Sequence, residues 1–219
     1  VGGLRVIPGI NPYASDYKLK AGENFVTPEF IFTLSDDGIG EATRNLHDWA
    51  RLYQLKDGMD DRMTLLNNWE STAFDFDQDK LTGVMDDAAR LGVDMFLLDD
   101  GWFANKYPRN DDTTGLGDWE PNKVKLPQGI AGLTAAAKKA GVKFGIWIEP
   151  EMVSPKSQLY EKHPDWVITQ PGRDIYYYRN QLVLDLANPK VQDYVFGVAD
   201  KILSDNPDVA YFKWDCNSP

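Results

Sequence analysis

Lys213 and Asp215 stand two residues apart in the run Tyr211-Phe212-Lys213-Trp214-Asp215-Cys216-Asn217. On a strand that spacing puts both side chains on one face and Trp214 on the other. An ammonium beside a carboxylate favours the ionised acid, the form a carboxylate nucleophile needs at neutral pH. A buried structural ion pair would use the same two residues. Asp99 and Asp100 follow the apolar run Met95 to Leu98. Adjacent carboxylates can accept hydrogen bonds from neighbouring hydroxyls of one sugar, while Asp beside Gly101 also makes ordinary turns. Trp147, Glu149 and Glu151 fall at alternate positions, with Pro150 stiffening the exit. Glu149 is open to four roles: acid, base, metal ligand or interior hydrogen-bonding group. Arg179 could grip a hydroxyl or carboxylate bidentately, or lie on the surface. Cys216 reads as a packed thiol, and His47 and His163 as structural, because no base adjoins the thiol in sequence.

These groups need a scaffold that brings distant positions to one place. Apolar runs at 64–69, 95–99, 142–149, 181–186 and 209–215 read as strands buried on both faces. Between them lie helices: one over 84–91 stopped by Gly92, one over 131–140 stopped by Gly141, and one opened by Asn188-Pro189. Almost every polar or aromatic cluster falls at the carboxyl end of a predicted strand: Asn67 to Glu70, Asp99 to Trp102, Trp147 to Glu151, Asp185, and Lys213 to Asn217. Catalytic groups at the ends of successive strands characterise the (β/α)8 TIM-type barrel. No Gly-rich phosphate loop follows any strand, so a doubly wound dinucleotide fold is disfavoured. The fold class is therefore α/β, an incomplete barrel of about five βα units out of eight.

Ahead of it, residues 1–34 carry Gly2, Gly3, Pro8, Gly9, Pro12, Gly22 and Pro28 between short apolar runs, which predicts strands and turns of a β-rich segment. From Ser35, apolar residues Ile39, Ala42, Leu46, Trp49 and Tyr53 recur at helical spacing, with Gly58 as a stop. The expected division is 1–34 for the β-rich tail, 35–60 for a connecting helix and 61–219 for the barrel.

Composition narrows the partners. Lys and Arg total 23 against 34 Asp and Glu, a net charge of -11 that repels phosphate backbones and anionic lipid heads. Nucleic acid and membrane partners are not expected, and no apolar run is long enough to span a bilayer. One cysteine and two histidines cannot assemble a His/Cys zinc site. The chain opens on Val1 without a signal-peptide pattern, so its true N-terminus is expected to be absent; the compartment stays open, with a cytoplasmic one preferred. Oligomeric state is not readable.

The strings NNWEST, LLDDGWF, RNDD, LGDW, FGIWIEPEMVSP, LYEKHPDW, RNQLVLDL and YFKWDCN occur in this order, preceded by TPEF and LHDWAR. Together they resemble the α-galactosidases of glycoside hydrolase family 36, and the resemblance covers essentially the whole chain. It implies a retaining glycosidase that cleaves terminal α-linked galactose from oligosaccharides through a covalent glycosyl-enzyme, without metal or other cofactor. It also implies Asp215 as nucleophile and Lys213 as a ligand of galactose hydroxyls. Asp99 and Asp100 fall on the hydroxyl-reading pair, Trp69 and Trp147 on the aromatic walls, Arg179 on the substrate-binding arginine and Asn217 on the position after the nucleophile motif. The segment 1–34 would be the end of the N-terminal β-sandwich.

A retaining mechanism needs a second carboxylate roughly 5 to 5.5 Å from the nucleophile. In the family it lies on a later strand, so it is expected beyond Pro219, and the chain alone is expected not to turn over ordinary sugar substrates. Two other readings stand beside this one. A noncatalytic carbohydrate-binding module would use the same carboxylates and tryptophans, and a metal-dependent barrel enzyme would use Asp99, Glu149 and Asp185 as oxygen ligands for magnesium.

Overall fold

The computed structural model describes residues 5–11, 13 and 16–217. Gly2, Gly3 and Pro12, three of the breakers in the tail, lie outside the described residues, as do Ser218 and Pro219. The chain divides into two units, residues 1–62 and 63–219.

In the first unit, the described residues up to 34 include turns and bends but no paired strand, where their pattern predicts β-strands. The expected helix is present. It runs as α1 (Gly38–Trp49) and continues through a π-helical turn, Ala50–Gln54, before Leu55 turns extended. The helix thus ends short of Gly58.

The second unit is built on four parallel strands: β1 (Leu65–Asn67), β2 (Met95–Leu98), β3 (Lys143–Ile148) and β6 (Val209–Trp214). Their order in the sheet is β1-β2-β3-β6, the order in which the chain makes them. A doubly wound sheet reverses direction partway; a barrel wall does not. The unit is accordingly an incomplete α/β barrel. Helices α3 (Gln78–Arg90), α4 (Gly129–Ala140) and α6 (Pro189–Asp205) form the crossovers. Local chemistry sets their ends. The Asp77 carboxylate accepts the Lys80 N–H at 2.8 Å, the Asn188 side chain accepts the Lys190 N–H at 3.0 Å ahead of Pro189, and Gly141 closes α4 in the left-handed conformation at φ 87°.

Alternation along the strands divides the interior in two. Phe96 and Leu98 of β2 and Phe144, Ile146 and Ile148 of β3 pack with Leu81, Met85, Ile130, Leu133, Val198 and Ile202 of the helices. Each such side chain contributes roughly 1.5–3 kcal/mol when fully buried. The opposite face carries Met95 and Leu97 on β2 and Tyr211 on β6, which meet across Gly145 of β3. A Cβ there would lie 2.9 Å from Leu97 and 3.3 Å from both Met95 and Tyr211. The bare glycine leaves space that side chains from the strands on either side of β3 close in on, and barrels stack their interior in such layers drawn from alternate strands.

One expected barrel strand lies elsewhere. Within 181–186 only Leu182–Val183 (β5) is a strand, and it pairs antiparallel with β4 (Met152–Val153) in a separate two-stranded sheet. Leu182 and Leu184 pack with Val153, Leu159, Trp166, Val191 and Val195 instead of the barrel core. The wall among the described residues therefore has four strands, not five. Once β3 ends, Pro150 and the residues after it turn away from the wall and offer their own edge, and a short apolar run pairs with whichever edge it reaches. The short helix α2 (Trp69–Thr72) follows β1, and α5 (Gln158–Lys162) lies between β4 and β5.

Candidate active site

The layering that joins Leu97 to Tyr211 continues two residues further along each strand. There Lys213 donates to Asp99 Oδ2 at 2.8 Å and stands 4.0 Å from Asp215 Oδ1. The Lys-x-Asp spacing does place both residues on one face, yet the nearer partner of Lys213 is Asp99 from another strand end. Asp99 is buried and also accepts from Asn67 Nδ2 at 2.5 Å, while its N–H donates to Asn68 Oδ1 at 2.8 Å. Asn67 and Asn68 thus clamp the end of β2 to the end of β1. Their position in a polar cluster at a strand end was the sequence signal for them.

Asp215 follows β6 and is about one-third exposed, with 35% of its side chain open. Its Oδ2 accepts two N–H donors, Asn217 Nδ2 at 2.7 Å and Trp147 Nε1 at 3.2 Å. Burial alone would raise its carboxyl, but those two hydrogen bonds, with the charges of Lys213 and Arg179, outweigh it and hold the carboxyl below its ordinary value. Trp147 brings its N–H edge to the site. Its ring is buried, parallel to Phe103 at 6.2 Å, and the Trp102 indole donates to the Trp147 carbonyl at 3.0 Å.

Asp100 faces a different partner from its neighbour. Arg109 Nε donates to its Oδ1 and Oδ2 at 3.1 and 3.2 Å, and Arg109 Nη2 to Oδ2 at 2.8 Å, with both side chains buried. Burial pushes the Asp100 carboxyl up, against the pull of the Arg109 guanidinium and its hydrogen bonds. Lys125 binds the same region from outside: its ammonium donates to the carbonyls of Phe74, Gly101 and Arg109 at 2.9, 3.0 and 3.2 Å. Arg109 enters the sequence reading only as the start of the RNDD string, with no role of its own, and Lys125 not at all. Arg109 sits in a polar loop whose inward fold is not visible in composition, and Lys125 has no motif.

Glu149 and Glu151 are both buried at the exit of β3. Burial raises both carboxyls, Glu149 to about 7. Glu149 Oε1 accepts the Asn217 N–H at 3.2 Å, and Glu151 Oε2 accepts the Trp214 indole N–H at 2.6 Å. Trp69 is half-buried at the start of α2, edge-on to Phe74 at 5.0 Å. Arg179 is exposed, in the left-handed region at φ 50°, and its charge acts on both Glu149 and Asp215. Cys216 is exposed, not packed, and sits at φ 48°. Asp185, the third oxygen ligand of the magnesium reading, follows β5 and accepts the Ala187 N–H at 3.0 Å. Among the described residues, no group of three or more His, Cys, Asp or Glu is arranged to hold a metal ion, and no helix is long and apolar enough to cross a membrane. The resulting cluster is a carboxylate with one oxygen saturated by N–H donors, beside an ammonium–carboxylate pair, at the carboxyl ends of parallel strands.

A family model described as Melibiase matches residues 24–219. The α-galactosidase AgaA of Geobacillus stearothermophilus is 43% identical over 218 residues, which is 99% of this chain and 29% of that protein. The α-galactosidase Mel36A of Lactobacillus acidophilus is 42% identical, again over 99% of this chain and 29% of its own length. The chain therefore spans under a third of the length of these curated relatives. A crystal structure of a variant of the Geobacillus stearothermophilus enzyme in complex with stachyose superposes with a TM-score of 0.85. It is 41% identical and is matched over 94% of this chain and 28% of that one.

Proposed function

The chain belongs to the Melibiase family, and from that membership we propose that the protein carrying it hydrolyses terminal α-linked galactose from oligosaccharides, with Asp215 as the nucleophile of a retaining double displacement. The observation that carries this reading is the asymmetry of the Asp215 carboxylate. Both N–H donors fall on Oδ2, while the nearest cation to Oδ1 is the Lys213 ammonium, 4.0 Å away. A carboxylate held through one oxygen keeps its geometry and leaves the other free to attack. Its lowered pKa keeps it ionised at neutral pH.

In the first step Asp215 Oδ1 would bond to the anomeric carbon as the glycosidic bond breaks, its electron pair leaving with the aglycone oxygen, which an acid protonates. In the second, water activated by the same residue as base would displace Asp215 and restore the original configuration. We place that acid/base in a part of the full-length protein outside this chain. Lys213 and Asp99 form the charged pair best placed to meet galactose hydroxyls, with Trp69, Trp147, Arg179 and Asn217 around them and Asp100 behind, gripped by Arg109. The stachyose complex of the relative supports α-galactoside oligosaccharides as the substrate class.

The test uses the full-length protein. Proton NMR of the first-formed sugar should show the α-anomer of galactose, and Asp215→Ala should lose turnover and regain part of it with azide, yielding the β-galactosyl azide. A β-anomer as first product, or an Asp215→Ala variant with near-normal unassisted activity, would remove Asp215 from this role.

A further inference from the structure

Glu149 lies two residues beyond Trp147 on the same inward-facing alternation and is 0% exposed. Only one of its oxygens is used. Oε1 accepts the Asn217 N–H at 3.2 Å, and Oε2 is buried with no hydrogen-bond partner among the described residues. The Asn217 side chain in turn donates to Asp215 Oδ2 at 2.7 Å. Between these two contacts the backbone passes through Cys216 at φ 48°, in the left-handed region that non-glycine residues adopt only where their surroundings hold them. That turn is what sends the Asn217 N–H back to Glu149 and its amide forward to Asp215. Glu151 steadies the same segment from the other side by accepting the Trp214 indole N–H at 2.6 Å.

The charges around Glu149 argue that it works as an acceptor and not as an anion. Asp100 faces it from the end of β2, Glu151 from its own segment and the Cys216 thiol from the turn, while the exposed Arg179 pulls the other way. A buried carboxylate with one oxygen unpartnered and further carboxyls beside it is costly to ionise. Burial, with Glu151 and Asp100, lifts its carboxyl to about 7 against the pull of the Asn217 side-chain amide and Arg179.

We propose that Glu149 is a positioning residue for Asp215, an acceptor that holds the Cys216–Asn217 turn and thereby keeps the Asn217 amide on the nucleophile. The inference rests on the reading of Asp215 as nucleophile. Its test is the turnover of α-galactosyl fluoride by the full-length protein, because fluoride needs no protonation. The Asp215 Oδ1–C1 bond forms and the C1–F bond breaks with its electron pair going to fluoride, after which water displaces Asp215; kcat/KM reports the attack itself.

Glu149→Ala removes the acceptor, Glu149→Asp keeps an acid but shortens its reach, and Glu149→Gln keeps reach and acceptor without an ionisable group. At pH 6, Ala and Asp should each lower kcat/KM about 10- to 100-fold, the scale of a misplaced reacting group. Gln should stay within about threefold of wild type, since it retains the hydrogen bond. Asn217→Ala should match the loss of Glu149→Ala, and the double variant should be no worse than either, as for residues acting in one chain of contacts. Asn217→Ala keeps the test decisive should Glu149→Ala fail to fold. Wild-type kcat/KM in Glu149→Asp and Asn217→Ala, or a Gln variant as damaged as Ala, would overturn the proposal. A wild-type protein inactive on α-galactosyl fluoride, or an equally active Asp215→Ala variant, would instead overturn the nucleophile assignment beneath it.

Discussion

Arg109 grips both oxygens of Asp100 while exposing 0% of its own side chain, so the residue beside Asp99 is a buried ion-pair partner before it is anything else. Adjacent in sequence and identical in chemistry, the two aspartates meet different environments. Asp99 holds an ammonium that is 33% exposed, and Asp100 holds a guanidinium sealed from water.

That difference predicts opposite outcomes for one substitution. Asp100→Asn leaves the Arg109 charge buried and uncompensated, which costs about 3–5 kcal/mol of stability. Asp99→Asn should instead leave stability nearly intact and lower kcat/KM on α-galactosides by about 10- to 100-fold, the worth of a charge-assisted hydrogen bond of roughly 1.5–3 kcal/mol. Thermal unfolding and steady-state kinetics of the two full-length variants decide it, and equal losses of stability would show that burial does not separate them.

Replacing Arg109 should reproduce the Asp100 defect. Arg109→Lys keeps the charge but loses the planar fork that reaches both carboxylate oxygens, so it should recover less than half of the stability that Arg109→Ala loses. Melting temperatures of the two variants supply the check. A Lys variant as stable as wild type would mean that charge alone holds the loop.

Stability should also fall with rising pH through Glu149. Its folded carboxyl is raised from the ordinary 4.5 to about 7, burial being the leading cause. Between those values the unfolded chain has released the proton and the folded one still binds it, so folding stability declines across that window and levels off above it. Glu151, raised in the same direction, adds to the slope. Melting temperature measured from pH 4.5 to 8 should decline less steeply for Glu149→Gln than for wild type; parallel curves would contradict the assignment.

Chelators should leave α-galactoside hydrolysis by the full-length protein unchanged. Asp99 already has a cation at 2.8 Å in the Lys213 ammonium, and an ion placed there would have to displace it. Loss of activity on exhaustive chelation, restored by magnesium, would favour the metal-dependent reading.

The strands β1, β2, β3 and β6 were legible because each is an apolar run that stops at a polar or aromatic cluster, and the helices between them because their periodicity ends at Gly92, Gly141 or begins at Asn188-Pro189. Those signals are local, arising from burial and backbone preference within a few residues. The same locality is why 181–186 was misplaced: an apolar run reports that it is buried, not which edge it pairs with, and Leu182–Val183 found β4.

The candidate site divides along the same line. Asp215, Lys213 and Asn217 are close in sequence and could be read as one group. That Lys213 belongs first to Asp99 depends on a curved wall in which alternate strands meet across Gly145. That Arg109 turns inward to Asp100, and that Glu149 reaches Asn217, depends equally on loops returning to the strand ends. Residue types and one-strand alternation are written in the chain, but charge pairing between strand ends is decided by curvature and register, which exist only once the strands have assembled.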